Sequence, residues 1–89
     1  MSIPELYELF LKHPVITTDT RDCPADSIFF ALRGANFNGN DFAVKALESG
    51  CAYAVVDDPQ LKGDERFIHV DNVLVAMQQL ATYHRRQLE

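Results

Sequence analysis

The chain has 89 residues, 47% of them hydrophobic and 24% charged, proportions of one globular domain and not of a disordered tail. A formal charge of −5 disfavours nucleic-acid partners bound through their phosphate backbone, and no apolar run approaches the roughly 20 residues that cross a bilayer. Cys23 and Cys51 have no paired spacing, and Met1 to Glu5 lack the basic start of a signal peptide, so a cytoplasmic protein without a membrane partner is expected.

Ser2 and Glu5 have capping-box spacing, with Pro4 in the first turn, and they open a helix. Ile3, Leu6, Tyr7, Phe10 and Leu11 form its apolar stripe, Lys12 and His13 suit its end, and Pro14 stops it. Val15-Ile16-Thr17-Thr18 is β-branched throughout and predicts a short strand. Asp19 to Asp26 is polar loop. Ser27 to Leu32 is a continuous apolar run, as expected of a strand covered on both faces. Gly34 to Asn40 is a turn-rich loop, after which Asp41 can cap a second helix that Gly50 ends.

Ala52 to Val56 predicts a third strand and Phe67 to Val70 a fourth, joined by a charged loop from Asp57 to Arg66 that reads most simply as solvated surface. Asp71 or Asn72 then caps a last helix, with Val73, Ala76, Met77, Leu80, Ala81, His84 and Leu88 on one stripe. The order is αββαββα, and a helix between two buried strands implies a parallel crossover. The expectation is a small layered α/β domain around a mixed sheet of four to five strands.

Much chemistry is missing. There is no G-x-x-x-x-G-K-[ST] loop, and the four glycines cannot form a G-x-G-x-x-G fingerprint. No serine sits in a nucleophile elbow. His13, His69 and His84 lie in different elements without metal-ligand spacing, so neither a catalytic residue nor a metal site is expected, and His84 reads as a packed helix residue. Two loops stand out because both follow strands, where open α/β sheets collect ligands. Thr18-Asp19-Thr20-Arg21 offers hydroxyls, a carboxylate and a guanidinium suited to a hydroxylated, phosphorylated ligand; the same residues suit a self-capped turn equally well. In Gly34 to Asn40, the asparagines could meet a base edge and Phe37 could stack on a ring, or the stretch could be a plain connection with Phe37 in the core.

Together these segments resemble a known family. Thr17 to Arg21, Ser27 to Gly34, Asn38-Gly39-Asn40-Asp41-Phe42, Gly50 to Val56, Val70-Asp71-Asn72 and Leu80 to Arg85 are similar, in the same order, to the opening of the Mur ligases. These are ATP-dependent amide ligases that build the peptidoglycan stem peptide. The resemblance is greatest to the member that joins D-alanyl-D-alanine to UDP-N-acetylmuramoyl-tripeptide; the member that adds the third stem residue has a similar opening. It implies an N-terminal domain over residues 1–89 that holds the UDP end of UDP-N-acetylmuramoyl-peptide, with the remaining domains of its own chain as partner. Thr18 and Thr20 would meet uridine and diphosphate, Ala35-Asn36-Phe37 would line the uracil pocket, and Asp19 and Arg21 would bind or brace the loop. ATP and Mg²⁺ belong, on this resemblance, to a central domain after residue 89. There an acyl phosphate would form and be attacked by the amine of D-alanyl-D-alanine, so these residues alone would be inactive. A non-catalytic α/β interaction module is the alternative from another class.

Overall fold

The computed structural model describes residues 2–19, 23–33, 38–61 and 63–88. The first helix, α1 (Ile3–Lys12), starts where the sequence places it. Ser2 Oγ accepts the Glu5 N–H at 3.4 Å, and Glu5 Oε1 accepts the Ser2 N–H at 3.2 Å. The Ser2 hydroxyl and N–H both hold the Glu5 carboxyl below its usual range. Leu6 is the buried residue of α1, with Ile3, Tyr7, Leu9 and Phe10 packed around it. Leu11, expected on this stripe, is 58% exposed, and Leu9 takes its place.

Four strands follow, β1 (Ile16–Thr17), β2 (Ile28–Phe30), β3 (Tyr53–Val56) and β4 (Phe67–His69), in the spatial order β1-β2-β3-β4. Ile28, Phe29 and Phe30 are all buried, as are Ala54, Val55 and Val56. Successive strand residues point to opposite faces, so both central strands are covered on both sides. Full burial of side chains such as Phe29 and Phe30 contributes about 1.5–3 kcal/mol each. The α/β class and the element order are as expected, but the sheet is not mixed: all three pairings are parallel. Among the described residues, no helix lies between β1 and β2 or between β3 and β4. The strands are only two to four residues long, so at about 3.3 Å per residue each return has little distance to cover.

Between β2 and β3 lie a 3-10 turn (Gly39–Phe42) and α2 (Ala43–Glu48), which packs on β3 through its buried Ala43, Ala46 and Leu47. Asp41, expected to cap α2, instead lies within the turn, which the Asn38 side chain caps, and α2 has no side-chain cap. Gly50 follows the α2 C-cap with φ 118°, a left-handed conformation that favours glycine. The last helix, α3 (Val73–Gln87), is capped by Asn72, whose Oδ1 accepts the Val75 N–H at 3.1 Å. Val73, Ala76 and Leu80 are buried, whereas Ala81 and Leu88 face solvent. His84 is a packing residue: its Nδ1 lies 3.0 Å from Tyr7 Oη, and its ring meets the Phe10 edge.

Candidate functional site

Because every strand runs the same way, all four carboxyl ends share one edge, the usual place for a ligand in an open α/β sheet. Thr18 and Asp19 follow β1 there. Thr17 Oγ1 donates to the Asp19 carbonyl at 3.1 Å and accepts the Asp19 N–H at 3.2 Å, a local turn that leaves Thr18 exposed. The Cys23 thiol also donates to the Asp19 carbonyl, at 3.5 Å. Of the expected site residues, Thr18 and Asp19 lie at this edge, and Thr20, Arg21, Ala35, Asn36 and Phe37 lie outside the described residues.

The frame of the second loop is described. Arg33 and Asn38 pair across its base, and the Gly39 N–H donates to the Leu32 carbonyl at 2.7 Å. A Cβ on Gly39 would stand 2.4 Å from that carbonyl oxygen and 2.6 Å from the Ala31 carbonyl carbon. Backbone lies against backbone here, so glycine is required for space and not for an unusual φ.

Asp57, at the end of β3, is the hub of the edge. Its Oδ1 accepts Arg33 Nε at 3.1 Å, Arg33 Nη2 at 2.9 Å and Asn40 Nδ2 at 2.7 Å. Its Oδ2 accepts the Val73 N–H at 3.1 Å, at the start of α3. Its own N–H donates to Asn40 Oδ1 at 3.0 Å. Burial pushes the Asp57 carboxyl up, but the Val73 N–H, the Asn40 amide and the Arg33 guanidinium together outweigh it and hold the group below its usual range.

Two sequence readings change here. Asp57 is not part of a solvated loop, since its side chain is 8% exposed. Asn40 does not present its amide to a ligand, and Asn38 Oδ1 is taken by the Asn40 N–H and side chain. Asn40 is 2% exposed, and its Nδ2 also donates to Asn38 Oδ1 at 2.8 Å, so its polar atoms are used within the protein. The sequence signal for Asp57 was its place directly after an apolar strand of a parallel sheet; Asn40 had no comparable signal.

A groove of about 420 Å³ opens beside β4, lined in part by Ser2, His69, Asp71, Asn72 and Gln79. Its one basic ring, His69, is bound through Nε2 to the Leu61 carbonyl, so it offers a phosphate little. Among the described residues, no group of three His, Cys, Asp or Glu side chains could hold a metal ion, and no helix is long and apolar enough to cross a membrane.

Comparison with known proteins agrees with this architecture. The model of the Mur ligase family, catalytic domain, matches residues 14–85. The UDP-N-acetylmuramoyl-tripeptide–D-alanyl-D-alanine ligase of Bacillus subtilis is 36% identical over 84 residues, 92% of this chain and 18% of that protein. The UDP-N-acetylmuramoyl-L-alanyl-D-glutamate–2,6-diaminopimelate ligase of Rickettsia prowazekii is 30% identical over 74 residues, 81% of this chain and 15% of that protein. The chain thus spans less than a fifth of the length of these relatives. A MurF crystal structure from Acinetobacter baumannii superposes with TM-score 0.74 at 29% identity, covering 84% of this chain and 16% of that one. MurF from Thermotoga maritima, solved with ADP, shares the fold at TM-score 0.72 and 20% identity, over 78% of this chain and 16% of that one. With the family model matching most of its length, the chain belongs to the Mur ligase family.

Proposed function

We propose that these residues form the N-terminal domain of a ligase that joins D-alanyl-D-alanine to UDP-N-acetylmuramoyl-tripeptide, and that the domain docks the uridine diphosphate end of that substrate. The observation that carries this reading is the single carboxyl edge of an all-parallel sheet, bearing Thr18 and Asp19, in a chain of this family. The MurF structures from Acinetobacter baumannii, matched at 29–30% identity, favour D-alanyl-D-alanine addition over addition of the third stem residue. Docking would be the same in either enzyme.

In this reading Thr18 and Thr20 donate hydroxyls to the uridine and diphosphate, Ala35, Asn36 and Phe37 form the uracil pocket, and Asp19 and Arg21 brace the first loop. The domain contributes position only: a remote part of the substrate is bound here so that its reacting carboxylate is oriented elsewhere. The described residues hold no group of metal-binding side chains for Mg²⁺, and the sequence has no G-x-x-x-x-G-K-[ST] loop for ATP, so no chemical step is assigned to them. Such a protein works where its nucleotide-sugar substrate is made, in the cytoplasm.

A few neutral hydrogen bonds of about 1 kcal/mol each, with one ring stack, correspond to UDP affinity of about millimolar. Titration with UDP, followed by amide chemical shifts, should move Thr18, Thr20, Asn36 and Phe37 in a saturable way. If all four stay still at high UDP, the docking reading fails and a protein-interaction module becomes the better one. The reading frame beyond codon 89 gives a separate check: a Gly-rich loop ending in Lys-Thr or Lys-Ser supports the ligase, and its absence there counts against it.

A further inference from the structure

An anionic ligand at the carboxyl edge meets an electrostatic obstacle. Asp19, Asp57, Asp58 and Asp71 all follow strand ends there, in a chain whose formal charge is −5. Among the described residues directly after the strands (18–19, 31–33, 57–58 and 70–72), Arg33 is the one basic side chain. Arg66 is paired with Asp64 before β4, on the opposite side of the sheet, and Arg85 and Arg86 lie in the last turn of α3.

Arg33 is exposed but not loose. Its side chain is 55% accessible, yet Nε and Nη2 converge on one oxygen of an Asp57 carboxylate that Asn40 and Val73 also hold. One edge of the planar guanidinium is thereby fixed, and its opposite edge keeps N–H donors for another acceptor. A cation ordered before the ligand arrives loses less side-chain entropy on binding than a free one. Thr18 and Arg33 follow the paired strands β1 and β2 at the same carboxyl edge, Thr18 level with Phe30 in the register and Arg33 three residues further on, with its guanidinium turned toward the end of β3.

We propose that Arg33 meets the negative charge of the docked ligand, a nucleoside diphosphate, and that Asp57 is the positioning residue that aims its guanidinium. The inference rests on the docking reading above and adds to the Thr18 and Thr20 hydroxyls a cation that favours a diphosphate over a bare nucleoside.

The test is titration of the 89-residue chain with UDP and, in parallel, with uridine, at low and raised salt. In Arg33→Gln, the UDP dissociation constant should rise about tenfold, as for loss of a charge-assisted contact, while uridine binding stays unchanged. The salt dependence of UDP binding should weaken in the same variant. Arg33→Lys, which keeps the charge but lacks the fork, should fall between the two. Asp57→Asn should weaken UDP by about threefold with uridine again unchanged, because the cation is present but no longer aimed. Equal UDP affinity in wild type and Arg33→Gln would overturn the proposal. So would a parallel loss of UDP and uridine, which would mark Arg33 as structural. If wild type itself responds to neither ligand, the docking reading falls first, a result distinct from either of those.

Discussion

Arg33 meets Asp57 at 2.9 Å, and Arg66 meets Asp64 at 2.7 Å, yet the shorter contact belongs to the less consequential pair. Asp64 lies two residues from its partner, and its side chain is 30% exposed. The Arg66 guanidinium and N–H together lower its carboxyl to about 2, but the pair closes only a local turn. Asp57 reaches 24 residues back to Arg33, is 8% exposed, and ties the end of β2, the 3-10 turn and the start of α3 to β3. Distance and pKa shift thus rank these pairs one way, and connectivity with burial ranks them the other. Exposed ion pairs contribute little because water and salt screen them, whereas a buried acceptor with several donors cannot be removed without leaving those donors unsatisfied.

That contrast can be broken at several points. The largest effect is expected from Gly39→Ala, because the new methyl meets the Leu32 carbonyl and the β2 backbone must move; chemical denaturation should show a loss of about 3 kcal/mol. Asp57→Ala comes next, at about 2 kcal/mol, since it strands the Val73 N–H and the Asn40 amide at once.

Acid gives a finer test. Asp57 titrates lower in the folded protein than in the unfolded chain, where an aspartate has a pKa of about 3.9. Its stabilising contribution is therefore complete above the unfolded value and is lost as pH falls through the folded one. Stability measured from pH 6 downward (on the order of pH 6 to 3) should decline, and Asp57→Asn should flatten that decline. Raised salt should move the Asp64 titration back toward the ordinary range while shifting Asp57 less, readable from carboxyl chemical shifts. The smallest effect belongs to Asp64→Asn, which should leave the melting temperature unchanged within error.

What the sequence reveals and what it conceals divides along similar lines. Ser2 with Glu5, Asn72 before Val73, and the apolar runs of β2 and β3 announce themselves because their partners lie within a few residues or follow a simple period. The edge network does not, since Arg33, Asn40 and Asp57 come together only after β2 and β3 pair. For the same reason Asp57 resembles the start of a surface loop and Asn40 a ligand-facing amide. Leu11 fits the helical period but is 58% exposed, and Leu9 packs against the core instead. The mixed-sheet expectation fails because all three pairings are parallel, although no crossover helix lies among the described residues that join β1 to β2 or β3 to β4. In the candidate site, residue types and loop position single out Thr18 and Asp19 as candidates, while the electrostatic case for Arg33 needs the count of aspartates that follow the strand ends at the same edge.

Ser27 and Cys51 carry a last consequence. The Ser27 hydroxyl and the Cys51 sulfur lie 3.2 Å apart at the foot of β2 and β3, and the cysteine is 2% exposed. A thiol so placed is silent to alkylating reagents while the central strands stay closed. Its labelling rate becomes an internal stopwatch for the opening of that unit, read by mass spectrometry without any introduced probe. Because the opposite end of the same strands carries the Asp57 hub, the stopwatch also reports whether changes at the carboxyl edge loosen the middle of the sheet.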